Sequence, residues 1–152
     1  MELICEELNV LPAGGRVQFT CVASSNMWTA FGANTGSIYM HSSGSLERNA
    51  VVVVADQPIS QIAFNPTAEL FAVSADRNVF IVRHNSSSRS SAEILLRVQP
   101  HDSPITCFAW DSDSNRVFSG SESGVVAITR VPSVCAHLMS VICYCTTTPV
   151  AY

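Results

Sequence analysis

Cys135-Ala136-His137 and Cys143-Tyr144-Cys145 set four sulfur and nitrogen donors within residues 135–145, a donor set that suits tetrahedral zinc. Paired zinc ligands normally stand two or more residues apart, however, and here each pair has a single spacer. Along an extended strand Cys143 and Cys145 simply face one way. Buried thiols account for that pattern, and no metal site is expected. Asp111 and Asp113 are close enough for paired-carboxylate chemistry, but they lie in a Ser/Asn-rich stretch where an Asp side chain caps turn backbone. His101 follows a loop at the mouth of an apolar segment. Its ring is expected to bond backbone or a hydroxyl such as that of Ser119 rather than to act as a base. His41, His84 and His137 share no pattern. No Ser or Cys sits in a G-x-S-x-G elbow, and no glycine run forms a phosphate loop. Catalytic residues, cofactor and metal are therefore all expected to be none, with no small-molecule substrate. Asn85-Ser86-Ser87-Ser88-Arg89-Ser90-Ser91 reads as a polar surface loop, where a phosphate would alter a partner's affinity.

The totals agree with a packed, non-reactive chain. Of the 152 residues 47% are hydrophobic and 13% charged, with a formal net charge of −4. That is enough apolar material for a core, and without a Lys/Arg cluster it argues against nucleic acid as a partner. Met1-Glu2-Leu3-Ile4-Cys5-Glu6-Glu7 carries acid where a secretory signal carries positive charge. Residues 134–145 are too few to span a bilayer. A soluble cytoplasmic protein with no direct membrane insertion is expected. Its six cysteines (Cys5, Cys21, Cys107, Cys135, Cys143 and Cys145) are then free thiols in a reducing compartment.

Internal repetition says what positions these residues. Pro58-Ile59-Ser60-Gln61-Ile62-Ala63-Phe64-Asn65 aligns with Pro104-Ile105-Thr106-Cys107-Phe108-Ala109-Trp110-Asp111, at an offset of 46 residues. Leu70 to Ser74 then falls on Arg116 to Gly120, and Asn78 to Val82 on Gly124 to Ile128, without a gap. A third copy lies upstream, in Phe19 to Ala23, Trp28 to Gly32 and Gly36 to Met40. Each copy predicts an apolar strand (about 19–24, 59–64 and 105–110), a polar turn, and a small-residue strand (28–33, 70–75 and 116–121). A tight turn follows at Gly36, Asn78 or Gly124, residue types that tolerate positive φ. Ile38/Met40, Phe80/Val82 and Val126/Ile128 then alternate on one face of a third strand. Residues 50–54 and 93–98 supply outer fourth strands. Four antiparallel strands per roughly 40–45 residues is the period of a propeller blade.

The residues resemble WD repeats. His101-Asp102-Ser103-Pro104-Ile105 is similar to the family's His-containing blade opening, and Ser119-Gly120-Ser121-Glu122-Ser123-Gly124 to its second-to-third strand turn. The family's Asp before the turn glycine is replaced by Thr35, Arg77 and Ser123, and its Trp in the third strand by His41, Arg83 and Thr129. The Asp–His–Ser–Trp hydrogen-bond tetrad is thus expected to be absent from every blade, leaving His101 without its usual partners. Trp28-Thr29-Ala30-Phe31-Gly32, Pro58 to Ala63, Ile105 to Asp111, Arg116-Val117-Phe118 and Val126-Ala127-Ile128 together resemble the N-terminal propeller of the Hermansky–Pudlak syndrome 5 family. Tectonin β-propeller repeat-containing protein 2 propellers come second. The resemblance covers residues 16–131.

The expected fold class is all-β: a partial β-propeller of about three degenerate, four-stranded WD-repeat-like blades. The blades are expected at 16–57, 58–103 and 104–131. Residues 1–15 are read as an outer closing strand. Residues 132–152 are read as a divergent tail, with a fourth strand of the third blade near 139–144 and residues 146–149 beyond it. The structural blade residues are His101, Trp110, Trp28, Gly36, Asn78 and Gly124. The resemblance implies a non-enzymatic protein–protein scaffold whose partners are other subunits of a cytosolic complex. That complex would move cargo to lysosome-related organelles, peripheral to endosomal membranes; an autophagy-linked scaffold is the alternative. Three blades do not close a ring, so a fragment or short isoform of a larger protein is expected, or a truncated product without independent function.

Overall fold

The computed structural model describes residues 16–42, 48–84, 92–131 and 146–147, in which every regular element is a strand. β1 (Phe19–Ser24), β2 (Trp28–Ala33), β3 (Ser37–Ser42) and β4 (Arg48–Val53) form one antiparallel sheet in sequence order. β5 (Gln61–Phe64), β6 (Leu70–Ala75), β7 (Asn78–His84) and β8 (Ala92–Val98) form the second. β9 (Ile105–Trp110), β10 (Arg116–Ser121), β11 (Val126–Arg130) and the two-residue β12 (Thr146–Thr147) form the third. These are three four-stranded blades of a β-propeller, and β1, β5 and β9 neighbour one another on the inner side.

The sheets stack face to face because each presents an apolar face to the next. Ala30, Ile38, Met40, Ala50 and Val52 of the first meet Ile62, Phe71, Val73, Phe80 and Val82 of the second. The opposite face of the second sheet carries Leu70, Ala72, Val79, Ile81 and Leu96, which pack with Ile105, Val117 and Val131 of the third. The middle sheet is therefore covered on both sides, and all of β6 is buried. Its sequence, Leu-Phe-Ala-Val-Ser-Ala, lacks the apolar–polar alternation of a half-exposed strand for that reason. Phe71 and Phe80 are fully or almost fully buried, each worth about 1.5–3 kcal/mol of transfer free energy.

One expectation about register fails. Gly32 pairs with Ile38 and Gly120 with Val126, but Ser74 pairs with Val79. The hairpin of the second blade is one residue shorter than the other two, so the ungapped alignment slips there. A slip of one residue moves every side chain to the other face of a strand. Phe80 and Val82 accordingly point back at the first blade, opposite Ile38 and Met40, instead of sharing their face. The left-handed residue of this turn is Asp76 (φ 53°), not Asn78, which is already the first residue of β7. The short polar side chain of Asp tolerates that region. Gly36 (φ 76°) and Gly124 (φ 80°) do occupy the turns of the first and third blades.

At the end of the chain, Thr146 and Thr147 pair with Ile128 and Ala127, a position read from sequence as tail. The closing strand expected within 1–15, the fourth strand expected near 139–144, the Cys135/His137 and Cys143/Cys145 pairs and the 85–91 loop lie outside the described residues.

Candidate interaction faces

The first turn of every blade is closed by a polar side chain just after the inner strand. Ser25 Oγ accepts from the N–H of Trp28 (3.0 Å) and of Met27 (3.3 Å). Asn65 Oδ1 accepts from the N–H of Leu70 at 2.9 Å. Asp111 Oδ1 accepts from the N–H of Asn115 (2.8 Å) and of Arg116 (3.0 Å), while the Arg116 guanidinium donates through Nε to Oδ2 at 3.1 Å. Partial desolvation pushes the Asp111 carboxyl up, but the two backbone N–H groups and the guanidinium outweigh it and hold the group below the usual carboxylate range. Asp113, whose side chain accepts only from neighbouring Ser112 among the described contacts, does not join Asp111 in a site. Ala68 (φ 60°) and Ser114 (φ 60°) occupy the same place in the second and third turns. The repeat thus extends to backbone conformation.

His101 is buried at 4% exposure, with Nε2 2.8 Å from Ser119 Oγ. This is the hydroxyl bond expected from sequence, so of the usual partners His101 keeps the serine while the family's Asp and Trp are replaced. Ser123, in the place of the family's Asp, instead pairs with the hydroxyls of Ser103 (2.9 Å) and Ser121 (3.0 Å). Thr129, in the place of the Trp, is buried with Oγ1 lacking a hydrogen-bond partner among the described residues, as does His101 Nδ1. Burial pushes the His101 ring below the ordinary imidazole value, against the raising effect of Ser119 and the nearby Asp102.

The two tryptophans link blades. Trp28, at the start of β2, stands edge-on to His84 of the second blade, with ring centroids 4.3 Å apart and planes at 76°. Trp110, at the end of β9, donates its indole N–H to the Ala63 carbonyl of the second blade at 2.9 Å. The inner strands add bonds from the Thr20 hydroxyl to the Ile59 carbonyl and from the Gln61 amide to the Thr106 carbonyl. The sequence signalled neither the partners of these side chains nor the direction in which they reach. The one available cue is a large amphipathic ring at a strand end in each of two copies.

Glycines mark where sheets come closest. A Cβ at Gly32 would lie 2.6 Å from Cys21 Sγ and 2.7 Å from a methyl of Ile59 in the next blade. One at Gly36 would lie 1.9 Å from the Ala55 carbonyl oxygen, whereas one at Gly124 would meet nothing within 4 Å. Burial pushes the Cys21 thiol up, against lowering hydrogen bonds from Thr20 and Gly32, so it is a poor nucleophile. Cys107 is exposed. Among the described residues no group of three or more His, Cys, Asp or Glu is placed to hold a metal ion. Among the described residues no helix is long and apolar enough to cross a membrane.

The polypeptide also matches known proteins. The model of the WD domain, G-beta repeat, matches residues 93–128, from the outer strand of the second blade through the third strand of the next. That segment resembles a WD repeat, and the three sheets have the fold of propeller blades. Among similar proteins is the BLOC-2 complex member HPS5 homolog of Aedes aegypti, 24% identical over 131 residues, covering 76% of this chain and 16% of that protein. The Drosophila melanogaster HPS5 homolog is 21% identical over 127 residues, covering 80% and 15%. Protein ROOT INITIATION DEFECTIVE 3 of Arabidopsis thaliana is 30% identical over 95 residues, covering 62% and 21%. The crystal structure of the Myceliophteria thermophila Cps50 (Swd1) β-propeller domain superposes with a TM-score of 0.66 at 11% identity, covering 76% of this chain and 40% of that one. The chain is thus similar to part of the HPS5 homologues, and it spans 15–16% of their length.

Proposed function

We propose that these blades serve as a protein-docking scaffold within a multisubunit complex that sorts cargo to lysosome-related organelles, on the cytoplasmic side of endosomal membranes. The observation that carries the scaffold reading is the stack of WD-repeat sheets, an architecture whose typical use is to present loops and faces to other proteins. Val22 (61% exposed) on the inner strand and Val53 (70%) on the outer strand place apolar side chains on one face of the first sheet, and Met27 (55%) adds another in a turn. The trafficking part rests on the similarity to the BLOC-2 complex members, since fold alone does not give function. The test is affinity purification of the protein at its native level, followed by identification of stoichiometric partners. Partners that include trafficking-complex subunits are expected. Recovery of the polypeptide alone overturns the scaffold reading, and stable partners of another kind overturn only the trafficking assignment.

A further inference from the structure

The connection from β8 to β9, residues 99–104, is fastened to the β10–β11 turn of the third blade. The N–H of Ser123 donates to Ser103 Oγ at 3.2 Å, and the Ser103 hydroxyl donates to Ser123 Oγ at 2.9 Å. The N–H of Glu122 donates to the Pro104 carbonyl at 3.0 Å. Pro104, Glu122 and Ser123 are exposed and Ser103 is half-buried, so water replaces these bonds readily and the fastening opens at little cost. Of the seven prolines, Pro104 and Pro149 are the two that follow a Ser or Thr. Residues 99–104 form no strand, and the proline ring favours an extended Ser103. An extended serine before a proline in an irregular surface segment is the dipeptide that proline-directed protein kinases accept.

The neighbouring copies show that this position stays open within a stack. Gln57 and Pro58 stand where Ser103 and Pro104 do, and both are exposed although their blade has a sheet on either side. The turn of the second blade likewise leaves the Arg77 side chain 45% exposed with the third blade following it.

We infer that Ser103 is a phosphorylation site, modified by a proline-directed protein kinase, and that the phosphate releases the connection from the β10–β11 turn. In the transfer Ser103 Oγ bonds to the γ-phosphorus of ATP, and the bond from that phosphorus to the β-phosphate oxygen breaks. ADP leaves, and the hydroxyl proton passes to the kinase's base. The modified oxygen then has no proton to donate to Ser123. The added charge, about −1.5 to −2, lies next to Asp102 and near Glu122, both exposed acids. The guanidinium of Arg77, on the turn whose Asp76 carbonyl accepts from the Ile105 N–H, is already engaged by the Asp76 carboxylate at 3.1 Å. Repulsion therefore outweighs the backbone N–H that Ser123 still offers. Kinase recognition of this dipeptide needs no subunit of a larger complex, so the site is independent of the scaffold reading.

The full chain is incubated with ATP and a proline-directed kinase of the cyclin-dependent class, and the phosphate is located by mass spectrometry. Phosphate on Ser103 is expected. P104A, shown to be folded by circular dichroism, is expected to lower the rate about tenfold or more, the scale of a lost apolar pocket contact. Hydrogen exchange then compares the modified and unmodified chains. The Glu122 and Ser123 amides are expected to exchange about tenfold faster after modification, the scale of one lost hydrogen bond, with β6 unchanged. No phosphate on Ser103, phosphate only on Thr148 or another residue, or a rate indifferent to P104A overturns the site. Unchanged or slower exchange at Glu122 and Ser123 overturns the release.

Discussion

His101 and Ser119 show how one pair keeps part of a larger polar arrangement. Their bond is buried, so removing one partner strands the other away from water. S119A is expected to lower the unfolding free energy by about 1–3 kcal/mol, measured by urea denaturation. The ring also titrates. Its folded value lies below that of the unfolded chain, because burial disfavours the cation and Nδ1 has no described partner to receive a second N–H bond. Above the ordinary imidazole range, about 6.5, both states are neutral and the contribution to stability is complete. As pH falls through that range the unfolded chain takes up the proton first, and stability declines until the folded value is reached. Burial depresses His84 in the same sense. H101Q is therefore expected to flatten the loss of stability below about pH 6.5; an unchanged slope would remove His101 as its source. Backbone conformation provides a second residue-scale contrast. G124A meets only the strain of a left-handed residue, about 1–2 kcal/mol. G36A adds a collision with the Ala55 carbonyl and is expected to cost several times more, read as the difference in denaturation midpoint.

At the scale of the strand, the second blade's hairpin decides which face a residue serves. Aligning the copies without a gap puts Phe80 and Val126 on equivalent faces, and pattern counting could not reject this because β7 is apolar on both sides. A sheet buried on both faces erases the period-two signal that reports register. The strands themselves, the repeat and the Gly36 and Gly124 turns were legible because polar turns and positive-φ residue types punctuate them. The Asp76 turn was not legible, since the shorter hairpin moves the left-handed residue to a position the alignment does not compare. The cross-blade reach of Trp28 and Trp110 was equally hidden, because it depends on how sheets stack rather than on local pattern. F80A is expected to cost about 3–5 kcal/mol, and V126A, on a partly exposed position, under about 1 kcal/mol. Comparable losses at the two sites in equilibrium denaturation would restore the ungapped register. W110F keeps most of the ring's packing but loses the indole bond to the Ala63 carbonyl. Its expected cost is about 1 kcal/mol.

For the whole molecule, stacking makes stability uneven. In a repeat architecture each unit draws its stability from its own sheet and from the interfaces with its neighbours. The second blade has two interfaces, while among the described residues the first and third each have one. The side chains of β6 are all buried, while β10 alternates and leaves Phe118 at the surface. Opening the third blade from its neighbour breaks the cluster around Leu70, Ile105 and Val117 and the Trp110 bond, yet leaves the packing between the first and second blades intact. Opening the second blade breaks both clusters at once. Native-state hydrogen exchange should therefore protect the β6 and β7 amides most and those of β10 and β11 less, with the gap reporting the interface the third blade lacks. Equal protection of β6 and β10 would mean instead that the three blades open as a single unit.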